Sequence, residues 1–84
     1  MFRVTIKHSA EREMRRIDRA MLPRIITAIH SLADEPRPAG CRKLVGSASE
    51  YRIRVGDYRV VYAVDDEAQE VNIQRIRHRK DAYQ

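Results

Sequence analysis

Apolar and polar residues alternate at the start of the chain, where Phe2, Val4 and Ile6 are separated by charged and hydroxyl-bearing residues. A period of two places successive side chains on opposite faces of a strand, so one face can be buried while the other meets solvent. The pattern therefore predicts a half-buried first strand over residues 2–8.

Two apolar stripes with helical spacing follow this strand. The first comprises Ala10, Met14, Ile17 and Met21, and the second comprises Leu22, Ile25, Ile26, Ile29, Leu32 and Ala33. Ser9 precedes the first stripe as a candidate N-cap. Pro23 lies near the start of the second, where a first helical turn tolerates proline and the interior of a continuous helix does not. We therefore expect a helical hairpin, ended by the proline-containing segment 35–40.

Strand-like alternation returns in the second half of the chain. Residues 41–45 are a weak strand candidate, whereas residues 51–55 alternate clearly between apolar residues and arginine. The pair Gly56-Asp57 is typical of a two-residue hairpin turn with glycine first. The same alternation continues over residues 58–64. After an acidic turn, a last strand is expected to begin near Val71 and to end near Arg77.

The order of these elements predicts an α+β fold. An N-terminal strand and a helical hairpin precede three to four antiparallel strands, which form a sheet with the helices on one face. We expect a single domain over residues 1–84. No apolar run approaches the roughly 18 residues of a membrane span, and the lone Cys41 cannot form an internal disulfide. These features favour a cytoplasmic protein with no membrane partner.

Arginine dominates the charge of the chain. Lysine and arginine total 17 against 12 aspartates and glutamates, which gives a net charge of +5, and Lys7, Lys43 and Lys80 are the lysines. The guanidinium group matches phosphate with two parallel donors, so an arginine-rich surface favours nucleic acid as a partner. A solvated surface with incidental positive charge is the alternative.

The two-residue turn fixes the pairing of the strands on either side of it. Arg54 then faces Arg59, and Arg52 lies two residues along on the same face. Like charges directly opposite each other destabilise a sheet by up to about 1 kcal/mol. The arrangement therefore indicates an anion, for which a phosphodiester or its pentacoordinate transition state is the natural candidate. Alternatively, the arginines point into solvent or pair with Glu50 and Asp57.

The end of the chain extends the candidate chemistry. If Val71 and Ile73 face the core, regular alternation places His78 on the arginine face, where an imidazole can exchange protons near neutral pH. An exposed histidine without a role is the alternative. Tyr83 suits stacking on a base or acid–base chemistry.

Two segments resemble the RelE/ParE superfamily of bacterial toxin–antitoxin toxins. They are residues 51–65, YRIRVGDYRVVYAVD, and residues 78–83, HRKDAY. For a RelE-like member, the resemblance implies a ribosome-dependent endoribonuclease that cuts messenger RNA in the A site. It implies 2′,3′-cyclic phosphate and 5′-hydroxyl ends, formed without a metal or other cofactor. The ParE branch, which inhibits DNA gyrase and has no nuclease activity, is the implied alternative.

The resemblance and the basic pattern together assign the site. The expected catalytic residues are Arg54, Arg59, His78, Arg79 and Tyr83, and the expected substrate-binding residues are Lys43, Arg52, Arg54, Arg77 and Lys80. By resemblance, Arg52 and Arg54 match the paired basic positions of the central strand, and Arg59 matches the arginine after the hairpin. Arg79 and Tyr83 match the C-terminal arginine and tyrosine.

The proton acceptor is left open at this point. RelE members often carry lysine where this chain has Arg52 and Arg54, and arginine keeps its proton at any working pH. His78 is the first candidate, with Tyr83, Glu50 or a substrate-assisted route as alternatives. Arg77 also departs from the superfamily pattern, because that position is frequently glycine.

The resemblance implies partners as well. We expect a cognate antitoxin, encoded beside this chain, that is acidic and partly disordered and folds on binding. The ribosome and messenger RNA are the other expected partners. A higher-order toxin–antitoxin complex is the expected assembly.

Overall fold

A computed structural model describes residues 1–80 of the chain. Its strands are β1 (Arg3–Ile6), β2 (Arg42–Lys43), β3 (Glu50–Val55), β4 (Tyr58–Asp65) and β5 (Glu70–His78), and its helices are α1 (His8–Met14) and α2 (Leu22–Ser31). The strands form one sheet in the order β1-β5-β4-β3-β2. Neighbouring strands are antiparallel, except that β1 runs parallel to β5. The predicted α+β fold is confirmed.

The helices cover one face of the sheet and leave the other face open. The buried core comprises Ala10, Ile17, Ile25, Ile29, Leu32, Ile53, Val55, Val60, Tyr62, Val64, Val71, Ile73 and Ile76. The alternation expected in β3 and β4 is confirmed, because Ile53, Val60 and Tyr62 all point inward. Ile26 lies on the outer side of α2 and is 36% exposed. Within residues 1–80, no helix is long and apolar enough to cross a membrane.

The first strand and helix are both shorter than predicted. β1 ends at Ile6, α1 begins at His8, and Ser9 lies inside the helix rather than capping it. α1 ends at Met14, after which backbone bonds join residues three apart, as from the Ile17 N–H to the Met14 carbonyl. This tighter winding brings Ile17 into the core at 7% exposure without prolonging the α-helix.

The second helix begins where the sequence predicts, whereas the edge strand is shorter than predicted. α2 begins at Leu22 with Pro23 in its first turn, as the proline rule predicts. The weak strand candidate forms only the two residues of β2, which pair with β3 at the edge of the sheet. The Leu44 N–H still donates to the Glu50 carbonyl (2.9 Å) in the same register, and the chain then turns, with the Ser47 N–H donating to the Leu44 carbonyl (3.3 Å).

A β-bulge divides β5, so the side chains of its second half lie on the opposite faces of the sheet from those predicted. The register shifts between Val61 and Tyr62, which leaves Gln74 as one extra residue on β5. An extra residue reverses the faces of the residues that follow it. Ile76 is therefore buried in the core at 3% exposure. His78 lies on the same helix-covered face, so its predicted place on the arginine face is wrong.

Helix α1 protects the edge of β5 beyond the end of β1. The backbone N–H of Ile76 donates to Glu13 Oε1 (2.9 Å), and Arg77 Nε lies 3.2 Å from Glu13 Oε2. Where a neighbouring strand ends, the backbone N–H groups along the exposed edge need other hydrogen-bond acceptors. Glu13 supplies one and so fixes the part of β5 that follows the bulge.

Candidate functional site

The turn between β3 and β4 takes the predicted two-residue form. Gly56 has a φ of 58°, in the left-handed region that glycine adopts without strain. A Cβ added there would lie 2.5 Å from Met21 Cε, so the turn packs closely on the segment that joins the helices. The backbone N–H of Asp18, in that segment, donates to the Tyr58 hydroxyl (3.2 Å). These contacts hold the turn in a fixed position.

Three arginines form a row across the open face beside this turn. Arg54 faces Arg59, as the turn predicts, and Arg59 faces Arg77 on β5. We call these three residues the first arginine row. Arg77 turns its head towards Glu13, so Arg54 and Arg59 are the members of the row that line the adjoining cavity.

That cavity has a volume of about 330 Å³, and we call it the hairpin cavity. It is lined by Arg54, Gly56, Asp57, Tyr58, Arg59, Arg79 and Lys80. The Arg79 N–H donates to the Asp57 carbonyl oxygen (2.7 Å), which holds the end of β5 against the turn. Four basic side chains and one carboxylate thus surround the cavity, and such a set binds an anion and stabilises negative charge that develops there.

A second arginine row lies one strand repeat away on the same face. Arg42 on β2 faces Arg52, Arg52 faces Val61, and Val61 faces Arg75 on β5. A separate depression at the β2 end of this row is lined by Gly40, Arg42, Arg52 and Arg54. Arg54 therefore lines both depressions.

Sequence reasoning missed Arg42 and Arg75 as members of this face. The register of a two-residue edge strand cannot be deduced from its own pattern, so Arg42 carried no signal. Arg75 was hidden by the bulge at Gln74, which no local rule indicates. The run of arginines at 75, 77 and 79 was the one available hint.

Two predicted site residues lie away from the open face. His78 packs edge-on against Tyr58, with ring centroids 5.2 Å apart, and its Nδ1 accepts the Lys80 N–H at 3.2 Å. Lys43 faces Tyr51 and so shares the helix-covered side of the sheet. The structure thus brings together Arg52, Arg54, Arg59, Arg79 and Lys80 but not His78 or Lys43. Tyr83 lies outside the described residues.

The charges of the open face are not neutralised by the carboxylates that the sequence offered. Glu50 and Asp57 take part in none of the ion pairs within residues 1–80, which involve Arg3, Arg37 and Arg77 among the arginines. In the same part of the chain, no three His, Cys, Asp or Glu side chains come together as a metal site would require. The chemistry available at the hairpin cavity is therefore that of four basic side chains and the Asp57 carboxylate.

Comparison with known families gives an independent result. The family described as "ParE toxin of type II toxin-antitoxin system, parDE" matches residues 4–83. Comparison with curated protein sequences finds no match. The family match spans both arginine rows and the hairpin cavity.

Solved toxin structures share the fold. A chain of the archaeal RelE–RelB complex from Pyrococcus horikoshii OT3 is 29% identical, with a TM-score of 0.82 over 93% of this chain and 94% of that one. A chain of the RelBE2 toxin–antitoxin complex from Mycobacterium tuberculosis is 26% identical, with a TM-score of 0.81 over 92% and 96%. The isolated E. coli RelE toxin is 21% identical, with a TM-score of 0.81 over 99% and 96%, and supports the fold alone.

Proposed function

This chain belongs to the RelE/ParE superfamily of toxins from type II toxin–antitoxin systems, and from that premise we propose that it is an endoribonuclease that cuts messenger RNA on the ribosome. The hairpin cavity is the observation that carries this proposal. There, Arg54, Arg59, Arg79 and Lys80 converge beside a turn that is fixed by its packing. A rigid, cationic, solvent-open cavity suits one phosphate of a long, negatively charged substrate.

The proposed reaction is attack by a ribose 2′-hydroxyl on the neighbouring phosphate of the message. The bond from phosphorus to the 5′-oxygen breaks, which yields a 2′,3′-cyclic phosphate and a 5′-hydroxyl. Negative charge gathers on the non-bridging oxygens as the pentacoordinate transition state forms. Arg59, from the strand after the turn, stabilises that charge, and Arg79 stabilises the departing 5′-oxygen, which takes up a proton from water to become the 5′-hydroxyl. Arg54 and Arg52 position the backbone of the message.

The proton acceptor follows from which groups line the cavity. Arg54, Arg59, Arg79 and Lys80 are protonated donors at neutral pH. The Asp57 carboxylate is the lining group, within residues 1–80, that can accept a proton without first losing one. We assign it the 2′-hydroxyl proton in place of His78, which lies on the other face of the sheet.

Paired variants test this assignment. Asp57→Asn should lower the single-turnover cleavage rate, while His78→Gln should retain it. The opposite result would return the role to His78. If both variants cleave at the parental rate, the acceptor is neither residue, and Tyr83→Phe is the next variant to measure.

An antitoxin is the proposed partner of this chain. The comparison structures from Pyrococcus horikoshii and Mycobacterium tuberculosis are complexes of a toxin with its antitoxin. Here the open face is basic, while Val45 and Ile26 leave apolar side chains exposed at its margins and on α2. An acidic, partly disordered chain that folds on binding would complement both features. Co-purification of the product of an adjacent small open reading frame tests this, and harmless expression of the toxin without such a neighbour contradicts it.

Gyrase inhibition is the second candidate, favoured by the ParE description of the matching family. In that function the protein would bind gyrase and leave messenger RNA intact. The Arg59→Ala variant would distinguish the two functions. If the protein inhibits gyrase, this variant would bind gyrase more weakly, and messenger RNA would stay intact with either protein.

One experiment separates the two functions. The chain is induced in cells, the 5′ ends of messenger RNA are mapped, and plasmid supercoiling and the DNA-damage response are recorded in the same cultures. We expect new 5′-hydroxyl ends within translated regions, and none with the Arg59→Ala variant. Intact messages accompanied by a DNA-damage response would contradict the nuclease function and support the second candidate.

A further inference from the structure

The two arginine rows are separated by one strand repeat. Arg52 and Arg54 are two residues apart on β3, which corresponds to about 6.7 Å along the strand. Consecutive phosphates of an extended single strand of nucleic acid are separated by a similar distance. The open face therefore presents positive charge at the spacing of neighbouring phosphates, rather than as one undivided patch.

Each row has its own depression. The hairpin cavity belongs to the first row, and the depression lined by Gly40, Arg42, Arg52 and Arg54 belongs to the second. Gly40 has a φ of 89°, and apart from its two chain neighbours no residue has an atom within 4 Å of the position that a Cβ would occupy. The backbone of the loop before β2 is therefore open to a ligand group at this point, in a depression lined by three arginines.

The charges around this second depression have no internal function in the described fold. Arg3, Arg37 and Arg77 each lie within 3.2 Å of a carboxylate oxygen. Within residues 1–80, Arg42, Arg52 and Arg54 take part in no ion pair, and Arg42 directly faces Arg52 across the β2–β3 pair. Such facing arginines repel each other. A bound anion would therefore relieve this repulsion and also form hydrogen bonds with the guanidinium groups.

We propose that Arg42, Arg52 and Gly40 form a second phosphate subsite, next to the hairpin cavity, with Arg54 shared between the two. A single strand of RNA would then lie from the hairpin cavity towards the β2 edge, with successive phosphates in the two depressions. This inference takes RNA as the substrate class from the proposed function, but it concerns binding and not cleavage. Arg42 is the residue that distinguishes the subsite, because it lines this depression and not the hairpin cavity.

Short oligonucleotides of defined phosphate number test the subsite. The probes are a 2′-O-methyl dinucleotide with one phosphodiester and a 2′-O-methyl trinucleotide with two, since the blocked 2′-oxygen prevents cleavage. Affinity is measured against salt concentration. For the unsubstituted protein, the second phosphate should increase affinity and steepen the dependence of log K on log salt by about 0.7. Arg42→Ala should remove that increment and leave dinucleotide affinity unchanged.

Arg75→Ala is the matched control. Arg75 is an exposed arginine at the other end of the second row, beyond Val61, and it does not line the depression. Its removal changes the net charge equally but should retain the trinucleotide increment. The inference is overturned if Arg42→Ala keeps the increment, if Arg75→Ala loses as much of it, or if the unsubstituted protein binds both probes equally or neither.

The result is distinguishable from failure of the proposed function. A protein that shows the Arg42-dependent increment but does not cleave messages on ribosomes would retain the subsite and lose the nuclease assignment. A protein that cleaves messages without the increment would retain the nuclease assignment and lose the subsite.

Discussion

The two ends of the sheet use arginine in opposite ways. At the end that carries the loop before β2, Arg37 donates to both oxygens of Asp66 at 3.2 and 2.7 Å and to the Tyr51 hydroxyl at 3.0 Å. Its guanidinium carbon also lies 5.1 Å from the centre of the Tyr51 ring. At the hairpin end, Arg54 and Arg59 face each other. The Arg37 cluster is closed on itself, whereas the cavity at the hairpin end is open to a ligand.

The electrostatics of the loop end follow from its pairing. The hydrogen bonds from Arg37 hold the pKa of Asp66 below its ordinary value. The Tyr62 hydroxyl donates to the Pro36 carbonyl (2.7 Å), and burial raises the pKa of that hydroxyl. Arg37, Asp66 and the Tyr62 hydroxyl each have a partner within the chain, so their network anchors the loop. Arginine identity alone therefore does not indicate function, because Arg37 is held in an internal network while Arg54 lines two depressions that are open to solvent.

The largest expected effect of this difference is on catalysis at the hairpin end. Arg59→Ala should lower the single-turnover rate of cleavage of ribosome-bound message by roughly 100-fold or more, because it removes a fixed donor from the point where charge develops. The control is Arg12→Ala, which removes an exposed arginine from α1 and should cleave at the unsubstituted rate. An Arg59→Ala protein that is folded and fully active would place the site elsewhere.

The next effect is on stability at the loop end. Arg37→Ala should lower the free energy of unfolding by about 1 kcal/mol, through loss of a partly exposed forked ion pair and a ring contact. Urea denaturation measures this, and cleavage by the folded variant should be unchanged. Arg3→Ala is the matched control: its pair with Glu70 is a single contact with a 76% exposed side chain, so its loss should be smaller. Equal losses of unfolding free energy in the two variants would mean that neither the Tyr51 ring contact nor the two-point pairing of Arg37 with Asp66 adds stability.

A smaller effect should appear in acid. Because the pKa of Asp66 is lower in the fold than its ordinary value of 3.8, its pair with Arg37 stabilises the protein above that value. The contribution is lost as pH falls through the lowered pKa. Asp66→Asn lacks the contribution at every pH, so the difference between its unfolding midpoint and that of the unsubstituted protein should shrink as pH falls from 3.8 through the lowered pKa. A difference that persists unchanged in acid would mean that the amide substitution acts through packing.

The same comparison explains what the sequence could predict. The pairing of Arg54 with Arg59 could be deduced because a two-residue turn leaves one register. Arg37 could not be foreseen as structural, because Asp66 and Tyr51 meet it only after the loop folds back. The prediction of the face on which His78 lies was wrong because of the bulge. One extra residue reverses the face of every later residue on the strand, and no sequence feature near Gln74 indicates a bulge. Regular elements follow from local rules, and the composition of the open face depends on long-range pairing.

The smallest expected effect is a gain in stability at the hairpin end. Arg54→Ala should raise the free energy of unfolding by a few tenths of a kcal/mol, because it relieves repulsion across the β3–β4 pair. The gain should be largest at low ionic strength, since salt screens exposed charges. It should also be non-additive: in a protein that already carries Arg59→Ala, the second substitution removes no facing charge and should add little. Arg12→Ala should show no comparable gain. A loss of stability at low salt would mean that Arg54 supports the fold as Arg37 does, and the contrast between the two ends would no longer hold.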